Sequence, residues 1–148
     1  RALQGEAAAA GQALASPGGE APPEAWRWDE RLGVLNDYYA AAEVAFVGGS
    51  LGPYGGHNPI EPAASGAAVL MGPHHGTQGA AVRALQEAGA LRVAGPGEDL
   101  VGALAGWLGD DASRARAGAA AMAVAAQRQG AVERTVAGLR ERGLWPAG

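Results

Sequence analysis

Val44-Ala45-Phe46-Val47-Gly48-Gly49-Ser50-Leu51-Gly52-Pro53-Tyr54-Gly55-Gly56-His57-Asn58-Pro59-Ile60-Glu61-Pro62 is the stretch whose reading decides the fold. Four apolar residues in a row, too few for a helix, stop at a glycine pair. A run of that kind reads as a strand buried on both faces, as in a parallel sheet. The pattern returns at Ala68-Val69-Leu70-Met71 before Gly72-Pro73, and in shorter form at Leu91-Arg92-Val93. Helical spacing fills the intervals. Leu32, Leu35, Tyr38, Tyr39 and Ala42 predict a helix over 32–42, and a second helix opens at Asn58 and closes at Gly66. A third covers 77–88 with Gly89 as its C-cap, and two more span 98–108 and 111–128. Val132, Val136 and Leu139 place an apolar stripe on a last helix that ends near Gly143. This alternation predicts an α/β layered domain with a parallel sheet.

Upstream the pattern is weaker. Residues 2–15 are Ala-rich, with Leu3 and Leu14 as the large apolar residues, and read as a weakly amphipathic helix. Ser16-Pro17-Gly18-Gly19 stops it, Ala21-Pro22-Pro23 prolongs the loop, and Trp26-Arg27-Trp28 reads as a short strand.

Composition narrows the class. The chain has 148 residues, a formal charge of −4, no Cys, and cationic side chains that are all Arg. The acidic balance supplies no footprint for nucleic acid, and the four Trp show no regular interleaving with Arg. Without Cys there is no disulfide scaffold, thiolate metal site or Cys nucleophile. No stretch approaches the roughly 20 apolar residues of a spanning helix, and no basic region leads an apolar one at the start as in a signal peptide. Much of the 48% hydrophobic content is Ala. At about 25 cal/mol per Å² such a core is thin, which calls for close helix–sheet packing or a partner domain. The first residue, Arg1 rather than Met, is expected to follow missing upstream sequence.

Sheets of this class place ligands beyond the carboxyl ends of their strands. Those ends are Gly48-Gly49-Ser50, Gly72-Pro73-His74-His75 and the loop beginning Ala94-Gly95. In the first, the glycines Gly48, Gly49, Gly52, Gly55 and Gly56 let backbone approach a ligand closely. Asn58, Pro59 and Glu61 fall at N-cap, N1 and N3 of the next helix, a capping-box arrangement whose first-turn amides attract a phosphate. Glu61 therefore has two readings, a capping carboxylate or an acceptor for a ribose hydroxyl, and a carboxylate has lone pairs for both. The loop is neither a P-loop, which needs a Lys, nor a dinucleotide fingerprint. His57, His74 and His75 lack metal-ligand spacing and are expected to hydrogen-bond backbone or ligand. A Ser-His-acid hydrolase is a poor reading of these residues, and Ser50 is a poor nucleophile candidate. Arg114, Arg116, Arg128, Arg134, Arg140 and Arg142 make the C-terminal helices basic, as a solvated face or as a surface toward anionic lipid or a partner.

Val44 to Leu51, followed by Gly55-Gly56-His57-Asn58-Pro59-Ile60-Glu61-Pro62-Ala63-Ala64, resembles the 3-deoxy-D-manno-octulosonic acid (Kdo) transferases. Val69-Leu70-Met71-Gly72-Pro73-His74 and the 130–139 tail continue a similarity that runs from about Asp29 to Leu139. The resemblance implies the C-terminal, Rossmann-like half-domain of a two-domain GT-B glycosyltransferase. Such an enzyme transfers Kdo from CMP-Kdo to a lipid A precursor at the cytoplasmic face of the inner membrane, without a cofactor and without a metal for the transfer. By position it assigns CMP binding to Asn58, Pro59, Ile60 and Glu61, with Glu61 on the ribose and Asn58 and the first-turn amides on the phosphate. Gly48, Gly49, Ser50, Gly55, Gly56 and His57 form the supporting loop. Leu32-Gly33-Val34 matches a second CMP-contacting turn, departing from the family at Val34, where Glu is usual. Trp28-Asp29-Glu30 departs from the family's strand–Asp–Thr entry. The catalytic base and the acceptor site of the family lie upstream of the matched region. The expectation is thus a partial segment over 1–28, a CMP-sugar-binding domain over 29–148, and a piece inactive by itself. Two other readings stand beside it: the donor half of another GT-B enzyme, a UDP-sugar transferase or epimerase, and a non-catalytic, truncated binding module.

Overall fold

The computed structural model describes residues 9, 14–15, 25–128 and 130–144, with 14 and 131–133 described by backbone alone. The chain forms two compact units, Arg1–Val34 and Leu35–Gly148.

In the first unit, β1 (Leu14–Ala15) pairs in parallel with β2 (Trp26–Arg27), Leu14 opposite Trp26 and Ala15 opposite Arg27. The Trp28 amide extends the ladder to the Ala15 carbonyl at 3.0 Å. The helix predicted over 2–15 therefore does not reach residue 14: pairing with a distant strand overrides the helical propensity of the alanines. Ala9 is helical, and the remainder of that prediction lies outside the described residues, as does the loop over 16–24. The strand at Trp26 is as the alternation predicts.

The second unit contains a three-stranded parallel sheet. Its elements follow as α1 (Leu35–Ala41), β3 (Val44–Val47), α2 (Ile60–Ala64), β4 (Ala68–Met71), a 3₁₀ turn (Gly76–Gln78), α3 (Gly79–Glu87), β5 (Leu91–Val93), α4 (Glu98–Leu108), α5 (Asp111–Arg128) and α6 (Ala131–Glu141). Sheet order is β3-β4-β5, in register at Val44↔Ala68 and Val69↔Leu91. The central strand β4 is buried at all four positions, which accounts for its unbroken apolar run.

Side chains alternate between two cores. On one face Val47, Val69, Met71 and Leu91 meet Val82 and Leu85 of α3, Ala63 of α2, and Ala121 and Ala125 of α5. On the other, Ala68 and Leu70 meet Trp107, with Leu100 and Ala103 of α4 packed against them. Trp107 is the largest buried side chain, and the Arg92 guanidinium stacks 4.4 Å from its ring centroid. Alanine works here because it lets backbones close in. Gly118 of α5 takes this to the limit, since a Cβ there would lie 2.2 Å from the Gly66 carbonyl oxygen.

Helices α2 and α3 close in the same way. Gly66 and Gly89 adopt φ of +85° and +72°, and the following amides, Ala67 and Ala90, return to the Pro62 and Leu85 carbonyls. This is the Schellman closure that a glycine after a helix signals. It leaves three residues between each helix and the next strand. Of the basic residues of the C-terminal helices, Arg116, Arg128, Arg134, Arg140 and Arg142 are exposed, and Arg114 is the exception. Arg114 is mostly buried, paired with Asp111 at 2.9 Å and Glu43 at 3.3 Å, and donates to the Trp107 carbonyl; Arg128 donates to the Ala80 carbonyl.

Candidate functional site

The loop between β3 and α2 is built around Ser50. This side chain is fully buried; its hydroxyl donates to the Val47 carbonyl and accepts from the Gly72 amide at 2.9 Å. The Ser50 carbonyl accepts from the His74 amide at 2.9 Å. Position 72 admits glycine alone, because a Cβ would lie 2.3 Å from the Ser50 carbonyl oxygen. Ser50 therefore joins the carboxyl ends of β3 and β4. The loop also closes on itself, with Gly56 and His57 amides donating to the Gly49 and Gly48 carbonyls at 3.0 and 3.1 Å. Gly49, Gly55 and Gly56 all carry positive φ, the freedom for which the sequence reading valued them. The His57 ring lies 3.4 Å from where a Cβ of Gly49 would be.

Out of this loop come Asn58 and Glu61, both exposed, at the carboxyl end of the sheet. The Asn58 side chain accepts from the Ile60 amide at 3.0 Å and donates to Glu61 Oε1 at 3.1 Å. This differs from the predicted capping box. Helix α2 starts at Ile60, two residues later than expected, and its flanking residue Pro59 supplies no side-chain cap. The carboxylate is held by the Asn58 amide group rather than by its backbone. The supply of first-turn amides is also smaller than the sequence reading expects. Pro59 and Pro62 have none, and the Ile60 amide is taken by Asn58, which leaves that of Glu61. In a helix of five residues the dipole adds little. The site offers a solvent-facing carboxylate, one amide and the second N–H of Asn58: an acceptor for hydroxyls with a modest donor set for an anion.

Two further residues belong to this region, and the sequence reads them as helix positions rather than as site residues. Tyr39 of α1 has its phenol pKa raised above 10, first by burial and then by the Glu61 carboxylate. Thr77 Oγ1 donates to the Gly55 carbonyl at 3.1 Å from the β4–α3 connection. Neither partner is near in sequence, so no local pattern announces them. Of the other residues singled out in advance, Leu32, Gly33 and Val34 lie in the first unit, Leu32 98% exposed and Gly33 at φ +83°. Gly33 explains why α1 begins at Leu35 rather than Leu32. His74 is exposed and His75 half-buried. Among the described residues no three His, Asp or Glu side chains gather as a metal site. Two open clefts lie elsewhere: one of about 520 Å³ beside β5, bordered by Arg92, Gly95 and Asp99, and one of about 380 Å³ at the opposite end of the sheet, bordered by Glu43, Gly66 and Arg114.

A parallel sheet flanked by helices, with a glycine-rich loop opening onto a short helix at its carboxyl end, has the fold of a GT-B glycosyltransferase half-domain. The solved C-terminal CMP-Kdo binding domain of WaaA from Acinetobacter baumannii superposes on 83% of this chain and 66% of its own, with a TM-score of 0.74 and 23% identity. In sequence, the chain is homologous to the 3-deoxy-D-manno-octulosonic acid transferases. It is 37% identical to that of Haemophilus influenzae over 106 residues, and 40% identical to that of Bordetella pertussis over 113. A probable mitochondrial 3-deoxy-D-manno-octulosonic acid transferase of Arabidopsis thaliana is 43% identical over 65 residues, 43% of this chain and 14% of that protein. The first two alignments cover 71% and 76% of this chain but 25% and 26% of the relatives, so the chain spans about a quarter of their length. No family model matches the chain.

Proposed function

We propose that this chain is the donor-binding part of a Kdo transferase, an inverting glycosyltransferase that passes Kdo from CMP-Kdo to a lipid A precursor. The observation that carries the reading is the Asn58–Glu61 pair, presented at the carboxyl end of the sheet in a chain homologous to named Kdo transferases. Glu61 accepts from the ribose hydroxyls of CMP, and its carboxylate is already oriented by the Asn58 amide group. The free N–H of Asn58 and the Glu61 amide face the phosphate. Gly48, Gly49, Ser50, Gly55, Gly56 and His57 form the platform. Transfer requires a general base for the acceptor hydroxyl. In this reading that base and the acceptor site belong to a preceding domain. The whole enzyme acts at the cytoplasmic face of the inner membrane, and the exposed arginines of α5 and α6 face anionic lipid. Among the described residues no helix is long and apolar enough to cross a membrane.

Calorimetric titration of the chain with CMP, against UMP, tests the reading. The expected result is millimolar or tighter CMP binding, weaker UMP binding, and a loss of about tenfold in Glu61→Ala, the scale of one hydrogen bond to a charged group. Glu61 is exposed, so its removal leaves the fold intact. Equal binding of both nucleotides, or none by the folded chain, overturns the assignment.

A further inference from the structure

The hydrogen bonds that hold the 48–57 loop are unevenly distributed. Its base is fixed by five hydrogen bonds: the Ser50 hydroxyl to Val47 and Gly72, the Ser50 carbonyl to His74, and the Gly56 and His57 amides to Gly49 and Gly48. Its outer limb ends at Gly55, at φ +88°, immediately before Gly56 at +72°, whose amide belongs to the base. Glycine pairs lose more conformational freedom on ordering than any other dipeptide, so a limb that ends in one stays in place only if something holds it. The Gly55 carbonyl is held from outside the loop, by Thr77 Oγ1 at 3.1 Å. Thr77 also occupies the space beside Gly55: a Cβ there would lie 3.4 Å from its hydroxyl oxygen and 3.5 Å from its methyl carbon. Three residues beyond Gly55 the chain reaches Asn58, and three further Glu61.

We propose that Thr77 is a positioning residue for the donor site. By donating to the Gly55 carbonyl it fixes the limb that sets the direction of Asn58 and Glu61, and so couples the β4–α3 connection to nucleotide affinity. The inference rests on the donor reading above. Thr77 is exposed, and Gln78 Nε2, which donates to its hydroxyl at 3.5 Å, has water as an alternative. Its hydroxyl can therefore be removed without injury to a core.

The test compares Thr77→Val, which keeps the shape and loses the donor, with Thr77→Ser, which keeps the donor. Two readouts are taken on the full chain: hydrogen exchange of the 50–57 amides without nucleotide, and CMP affinity. Thr77→Val is expected to exchange about fivefold faster in that segment and to bind CMP about fivefold more weakly, the factor of one neutral hydrogen bond. Thr77→Ser is expected to restore both, with the thermal midpoint unchanged in either variant; a purely structural role would lower the midpoint instead. Exchange in Thr77→Val equal to that of the unaltered chain overturns the clasp. Faster exchange with unchanged CMP affinity, or failure of Thr77→Ser to restore it, overturns the positioning role. Absence of CMP binding by the unaltered chain overturns the donor reading, while exchange still decides whether the clasp exists.

Discussion

Replacing Gly118 by alanine sets two effects of opposite sign against each other. Alanine in a helix interior is favoured over glycine by about 0.5–1 kcal/mol, because glycine has more backbone freedom to lose. Position 118 lies in the middle of α5, so propensity alone predicts a gain. Its Cβ, however, would lie 2.2 Å from the Gly66 carbonyl oxygen and 3.3 Å from the carbonyl carbon. Both are backbone atoms, and Gly66 is tied into the closure of α2 at φ +85°, two residues before β4. Relief requires α5 to retreat by roughly 1 Å, which costs the dispersion contacts of its neighbours. Those neighbours, Ala117, Ala121 and Ala125, are the buried face of the helix. Overpacking of this kind costs about 1–3 kcal/mol or more, so the steric term wins. Gly102 of α4 is the control: a Cβ there meets nothing within 4 Å, and Gly102→Ala is expected to stabilise by about 0.5–1 kcal/mol. Urea unfolding followed by far-ultraviolet circular dichroism separates them. With a slope of about 2 kcal/mol per M, Gly118→Ala is expected to lower the midpoint by about 0.5–1.5 M and Gly102→Ala to raise it slightly. The reasoning fails if Gly118→Ala is as stable as Gly102→Ala.

Two further outcomes follow from single groups. Ser50→Ala removes the acceptor of the buried Gly72 amide and is expected to cost about 1–3 kcal/mol in the same urea experiment; a change within 0.5 kcal/mol or so would show that the amide finds another partner. Tyr39 has a folded pKa above its unfolded value of about 10, so the folded state holds its proton more tightly. Its contribution to stability is complete below pH 10 and is lost as pH rises through the folded value. Stability is therefore expected to fall as pH rises above about 10, less steeply in Tyr39→Phe. Equal slopes would place the cause in other groups.

The three strands of the larger sheet were legible because each is an apolar run ended by a residue that cannot continue it: Gly48, Gly72 and the Ala94-Gly95 turn. The bounds of β3, β4 and β5, and those of α4 and α5, match the sequence reading to the residue. Helix starts were less legible. Residue 32 has the right spacing for α1, but Gly33 takes a left-handed backbone that no helix admits. Over 76–78 the chain makes a 3₁₀ turn before α3, which apolar spacing does not distinguish from α-helix. Of the site, Asn58 and Glu61 were recognisable by spacing, yet their partnership was misread, since spacing does not say whether a carboxylate turns to a backbone or a side-chain amide. Ser50 looked like a failed nucleophile and is a buried bracket between two strand ends. Its partner Gly72, like Gly55 for Thr77, is 22 residues away, beyond the range of any local pattern.

The Schellman closures of α2 and α3 divide the sheet into two ends with different tolerance for change in length. Three residues join each helix to the next strand, one of them in the left-handed conformation and all three bonded back into the helix through their amides. An insertion there has nowhere to go without unseating the strand that follows. At the other end the connections run over 48–59, 72–78 and 94–97, and a loop grows at little entropic cost. Insertions and deletions are therefore accommodated almost wholly at the end of the sheet that carries Asn58 and Glu61. The same backbone can acquire new recognition there while its hydrophobic layers keep their spacing.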